Sequence, residues 1–88
     1  MRNAKHAPKL GVGAVTLDLH GKTQYQARVA IDAALRSSRG LYRIRVIHGY
    51  HNGTTLRDMI RRAYAEHPAV LRLDAVSESE TDLVLREL

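Results

Sequence analysis

Cysteine, tryptophan and phenylalanine are absent from this chain of 88 residues, and proline occurs only twice. Without cysteine there is no disulfide framework and no thiolate metal site, so neither an oxidising compartment nor a zinc finger accounts for its stability. Without the large apolar aromatics the core must be aliphatic, drawn from the Ala, Val, Ile and Leu that dominate a 44% hydrophobic fraction. No apolar run approaches the ~18 residues needed to span a bilayer. The first residues, Met1-Arg2-Asn3-Ala4-Lys5, lead into no signal-peptide stretch, so the expectation is a cytoplasmic protein with no membrane partner.

What is present fits one domain, because a second core would leave each half too little buried surface. Fourteen Lys and Arg face nine Asp and Glu, a formal charge of +5, and most of the cations are Arg. Arginine pairs with phosphate through a bidentate fork, so the balance favours polyanionic partners.

Residues 1–12 are polar and basic, with Pro8 and Gly11, and show neither helical nor strand periodicity; they read as a flexible N-terminal arm ahead of a domain over 13–88. From Ala14 the chain alternates, with Val15, Leu17 and Leu19 on one face and Thr16, Asp18 and His20 on the other, the signature of a strand with one buried face. Gly21-Lys22 breaks it. Thr23 and Gln26 then form a capping box, and Ala27, Ala30, Ile31, Ala34 and Leu35 make the apolar stripe of a helix ended by Ser38-Arg39-Gly40.

Leu41 to Ile47 predicts a second strand, with Tyr42, Ile44 and Val46 opposite Arg43 and Arg45, stopped by His48-Gly49. After the loop Tyr50-His51-Asn52-Gly53, Thr55 and Asp58 suggest another capping box. Leu56, Met59, Ile60, Ala63 and Tyr64 repeat the helical stripe until Pro68. Val70–Ala75 and Leu83–Leu88 predict two further strands around an acidic turn from Ser77 to Glu80. The order β-α-β-α-β-β predicts an α/β two-layer sandwich: a four-stranded mixed sheet with two helices on one face and Arg43 and Arg45 on the wet one.

Both helices are preceded by a strand ending in His-Gly: Asp18-Leu19-His20-Gly21 before the first, Ile47-His48-Gly49 before the second. If those strands pair in parallel, their C-terminal ends adjoin and each glycine lets a helix N-terminus open toward the crevice between them. Free N–H groups there suit a phosphate, and Asp18, His20, His48, His51 and Arg57 are groups that handle phosphodiesters. Imidazole shuttles a proton near neutral pH, a carboxylate orients it or holds a divalent cation, and Arg57 neutralises charge.

Leu17-Asp18-Leu19-His20-Gly21, with Val46-Ile47-His48-Gly49 and a Gly-containing loop into Leu56-Arg57, resembles the Smr (small MutS-related) domain. The resemblance runs through nearly all of the chain from about Val15. It implies the fold of the C-terminal domain of bacterial translation initiation factor three, and binding and often endonucleolytic nicking of DNA or RNA. By that likeness Asp18 and His20 are tied to cleavage, and the loop from His48 through Gly49, Tyr50, His51, Asn52 and Gly53 touches nucleic acid; the reading of the two His-Gly ends adds His48 to the catalytic set and Gly21 to the contacts. The pattern departs in two places. His51 stands where the family's HG-x-G-x-G motif has glycine, and Ser77–Asp82 replaces a late glycine-rich signature.

Each residue also has a plainer reading. Histidines and Asp18 can simply close strand ends by hydrogen bonding, and Tyr50 can be an ordinary surface tyrosine rather than a platform for a base. Arg57, Arg61 and Arg62 can be the solvated face of an amphipathic helix, or can join Arg43 and Arg45 in a basic surface that binds nucleic acid in a salt-sensitive way. The residues demand no cofactor; a divalent cation, magnesium or manganese, could assist such a site, and His20, His48 and His51 with one carboxylate are a candidate cage for zinc or manganese. The readings are therefore an endonuclease, a non-catalytic nucleic-acid-binding module with the same cleft, and a domain that docks a protein partner.

Overall fold

The computed structural model describes residues 12–51 and 53–87. Nearly all of the expected N-terminal arm, Asn52 and Leu88 fall outside the described residues. Six elements follow in the expected order: β1 (Ala14–Asp18), α1 (Gln24–Arg36), β2 (Arg43–Ile47), α2 (Thr55–Tyr64), β3 (Arg72–Ser77) and β4 (Glu80–Val84). The strands form one mixed sheet in the order β1-β2-β4-β3.

β1 and β2 pair in parallel, with Asp18 opposite Ile47, because the chain between them is spent on α1. β4 runs antiparallel to both β2 and β3. Alternation then sorts the side chains. Ile44, Val46 and Leu83 are fully buried against Ala27, Ile31 and Leu35 of α1 and Met59, Ile60 and Tyr64 of α2. Each large aliphatic side chain buried there contributes about 1.5–3 kcal/mol. Tyr64 is the one aromatic in this core, and its hydroxyl donates to Asp32 across the helix pair at 2.6 Å. Burial, reinforced by the Asp32 carboxylate, pushes its phenol well above the ordinary tyrosine range.

The opposite face of the sheet is polar but not open. Asp82 at its centre is fully buried; Arg43 Nη1 donates to it at 2.6 Å, and Arg45 grips it with Nε and Nη2 at 2.8 and 3.0 Å. Burial alone would raise the Asp82 carboxyl, but the two guanidiniums outweigh it and hold the group below its ordinary value. Arg72 extends the lattice to Asp74 and Glu87.

Four expectations differ from the structure, the first being the second strand, where β2 begins at Arg43 rather than Leu41. β4 begins at Glu80 rather than Leu83 and ends at Val84 rather than Leu88. Thr81 and Asp82 are polar residues with buried partners, so the strand's first half carries no apolar alternation. Past Val84 the N–H groups of Leu85 and Arg86 turn onto the Tyr42 carbonyl. β3 likewise runs from Arg72 to Ser77, with a bulge after Ala75. The cap of α2 is Thr54, not Thr55. Its hydroxyl donates to the Asp58 carboxylate at 2.9 Å instead of accepting a backbone N–H, so no capping box forms. On α1 the capping box closes as expected, Thr23 Oγ1 accepting from Gln26 N–H and Gln26 Oε1 from Thr23 N–H.

Candidate functional site

The parallel pairing brings the two His-Gly ends together. Beyond Asp18, Leu19 still donates to the Ile47 carbonyl at 2.8 Å and buries its side chain, so His20 is the first residue to leave the sheet. On β2, the N–H groups of His48 and Gly49 both donate to the Ser79 carbonyl, at 2.9 and 3.1 Å, which ties this corner to the β3–β4 turn. Gly49 has φ +75°, and a Cβ on it would lie 3.2 Å from the Cβ of His20. Glycine is therefore what lets the two corners touch.

A cavity of about 460 Å³ opens at this junction. One wall is His20, Gly21 and the start of α1 at Thr23; the other is His48, Gly49, Tyr50 and His51; Thr55 and Leu56 of α2 form the back, with Gly53 beside them. The N-termini of both helices face it. That of α1 is closed by its capping box, whereas the first-turn N–H groups of α2 receive no side-chain cap from the described residues. Such N–H groups favour an anion.

At the rim, His20 Nδ1 donates to Asp18 Oδ1 at 2.5 Å, and the His20 backbone N–H reaches the same oxygen at 3.3 Å. Both side chains are more than half exposed. The ring hydrogen bond first, and the backbone one second, hold the Asp18 carboxyl below its ordinary value. A carboxylate on Nδ1 fixes the proton there and leaves the Nε2 lone pair available; among the described residues nothing bonds to Nε2.

His48 is built differently. It is buried, its Nδ1 donates to the Gly49 carbonyl at 2.9 Å, and its Nε2 accepts from the Thr81 hydroxyl at 2.9 Å. Its backbone shapes the cavity while its ring is spent on the sheet. Sequence reasoning placed His48 beside Asp18 and His20 and missed Thr81. The available signal was parity, since Thr81 lies two residues before Leu83 and so on the same face of β4.

The arginines divide as well. Arg57 lies in the first turn of α2, but Nε and Nη2 fold onto Asp58 at 3.2 and 3.1 Å. Asp58 is itself held below its ordinary value, chiefly by the Thr54 hydroxyl. Arg61 follows one turn on, whereas Arg43 and Arg45 sit on the far sheet face, locked to Asp82. Tyr50 and His51 stack on each other, centroids 4.8 Å apart and planes at 21°, with Tyr50 half exposed. Asn52 lies outside the described residues. Among the described residues no three His, Asp or Glu side chains gather as a metal cage, so the His20, His48, His51 cluster does not form one. Nor does any described helix have the length and apolarity to cross a membrane.

Comparison with known proteins agrees with this fold. The family model described as the Smr domain matches residues 17–82. Among solved structures, the Smr domain of Thermus thermophilus MutS2 superposes with a TM-score of 0.73 at 29% identity, covering 82% of this chain and 98% of that one. No curated protein sequence matches the chain significantly.

Proposed function

Because the chain belongs to the Smr domain family, we propose that it binds nucleic acid at the cavity between the β1 and β2 ends and nicks the phosphodiester backbone there. The observation that carries this reading is the Asp18–His20 pair, a carboxylate-oriented imidazole at the rim of a cavity backed by an uncapped helix N-terminus. Nε2 of His20 takes the proton from the attacking oxygen, a water on DNA or the neighbouring 2′-hydroxyl on RNA, as its P–O bond forms, and returns a proton to the oxygen that leaves as the old P–O bond breaks. Asp18 keeps the ring in the required tautomer and stabilises the imidazolium formed in between. The first-turn N–H groups of α2 hold a non-bridging phosphate oxygen. His48 positions the Gly49 turn through Thr81.

A divalent cation would have Asp18 as its one carboxylate at this rim, with an oxygen already shared with His20. The second reading, binding without cutting, draws on the His48 ring being spent inside the fold.

The test incubates the protein with supercoiled plasmid and with a structured RNA, with and without magnesium or manganese, beside Asp18→Ala and His20→Ala. Nicking that disappears in both variants while gel-shift binding persists supports the enzyme. Nicking unchanged in His20→Ala overturns the assigned role. Binding without any cleavage leaves the module reading, and affinity that does not fall as salt rises contradicts phosphate recognition.

A further inference from the structure

The loop where this chain departs from the glycine-rich pattern is the part of the cavity that the cleavage chemistry does not use. In place of small residues it carries two rings, Tyr50 and His51, stacked at 4.8 Å and 21° on the cavity wall. Stacking would ordinarily bury aromatic surface, yet Tyr50 stays half exposed and His51 exposed.

The rings are also held in place from below. The Tyr50 carbonyl accepts from Gly53 N–H at 3.0 Å, closing the loop on itself, and the residues just before it are pinned to the Ser79 carbonyl through two N–H groups. Each ring fixes the tilt of the other, so part of the ordering cost of a stacking surface is met before any ligand arrives. The cavity beside it, about 460 Å³, is within the range that encloses a small organic group.

We propose that the Tyr50–His51 stack is a platform for one unpaired nucleobase, so that this domain selects single-stranded over double-stranded nucleic acid. The inference rests on the nucleic-acid reading above and adds the strandedness of the substrate. A flat aromatic pair next to a phosphate-holding corner matches the two faces of a nucleotide, an aromatic base and an anionic linkage. In a duplex every internal base is covered on both faces by its neighbours, and only edges show in the grooves. A ring platform therefore finds its partner only where the base is free, and accepts any base because each has a π-face.

The test uses a short single-stranded oligonucleotide carrying 2-aminopurine, whose fluorescence changes on stacking, and a duplex of the same length, at one salt concentration. Parent protein, Tyr50→Ala, Tyr50→Trp and His51→Ala are compared after their thermal melts are shown to coincide. The expected result is a roughly tenfold loss of single-strand affinity in Tyr50→Ala, with duplex affinity unchanged. Its fluorescence change should vanish as well, and Tyr50→Trp should restore both. His51→Ala should fall between.

A Tyr50→Ala protein that binds the single strand as tightly as the parent overturns the platform while leaving nucleic-acid binding intact. An equal loss on both substrates overturns it too, since that pattern belongs to a contact with the phosphates. Parent protein that binds neither oligonucleotide removes the functional reading and the platform together.

Discussion

The two His-Gly corners look alike in sequence and are opposites in structure. At the first, His20 stands outside the sheet, exposed, with one nitrogen on Asp18 and the other, among the described residues, open. At the second, His48 is enclosed, with both nitrogens bonded to protein. The difference arises from one step of strand parity. His48 continues the helix-facing side of β2 set by Ile44 and Val46 and meets Thr81. At the other corner the buried position falls to Leu19, and the histidine after it lands on the rim. One imidazole is thus available for chemistry and the other for holding a corner in shape, though both are followed by a glycine with positive φ.

The sharpest way to break this contrast is to remove the exposed member. His20→Ala is expected to slow nicking by about 10²–10⁴-fold, the usual worth of a positioned acid–base group, while the melting temperature moves little because the side chain is mostly exposed. Plasmid nicking and a thermal melt on the same preparation check both halves. If stability collapsed instead, the two histidines would have the same role.

At the second corner the expected effect moves from rate to stability. Thr81→Val leaves His48 Nε2 buried without its donor and is expected to cost about 1–3 kcal/mol in urea denaturation. Gly49→Ala tests the contact between the corners. Its positive φ disfavours a side chain by about 1–2 kcal/mol, and the new methyl would press on His20. This variant should therefore lose both stability and nicking, where the other two lose one each.

The smallest effect is a titration. Asp18 is held below its ordinary value mainly by His20, so the pairing contributes stability above the unfolded-state pKa, and that contribution fades as pH falls through the depressed folded value. Removing His20 should return the Asp18 midpoint toward the ordinary value, read by carboxyl NMR. A midpoint that did not move would mean that the carboxylate is shifted by something other than the ring.

Much of this was legible because it rests on apolar periodicity and glycine. Alternation marked β1 and β2, the helical stripes marked α1 and α2, and Leu17-Asp18-Leu19-His20-Gly21 pointed to the rim. What escaped was set by contacts between polar residues far apart in the chain. Arg45 looks like a free surface cation until Asp82, 37 residues later, is folded against it. That same pairing hid the start of β4, since a buried carboxylate reads as turn when its partners are unknown. The direction of the His48 ring depended on Thr81, 33 residues away. The Thr54 cap was misplaced because the Asp58 carboxylate draws its hydroxyl away from the backbone.

The arginine lattice around Asp82 also decides how the molecule looks from a distance. The strands carry Arg43, Arg45 and Arg72 against Asp18, Asp74, Glu80 and Asp82, whereas the helices carry Arg28, Arg36, Arg57, Arg61 and Arg62 against Asp32 and Asp58. Over these elements the helices hold three more positive than negative charges, and the strands one more negative than positive. A polyanionic partner, as proposed above, would then be drawn first to the helix layer. Encounter rates should then respond to charge changes on that layer and ignore equal changes behind the sheet.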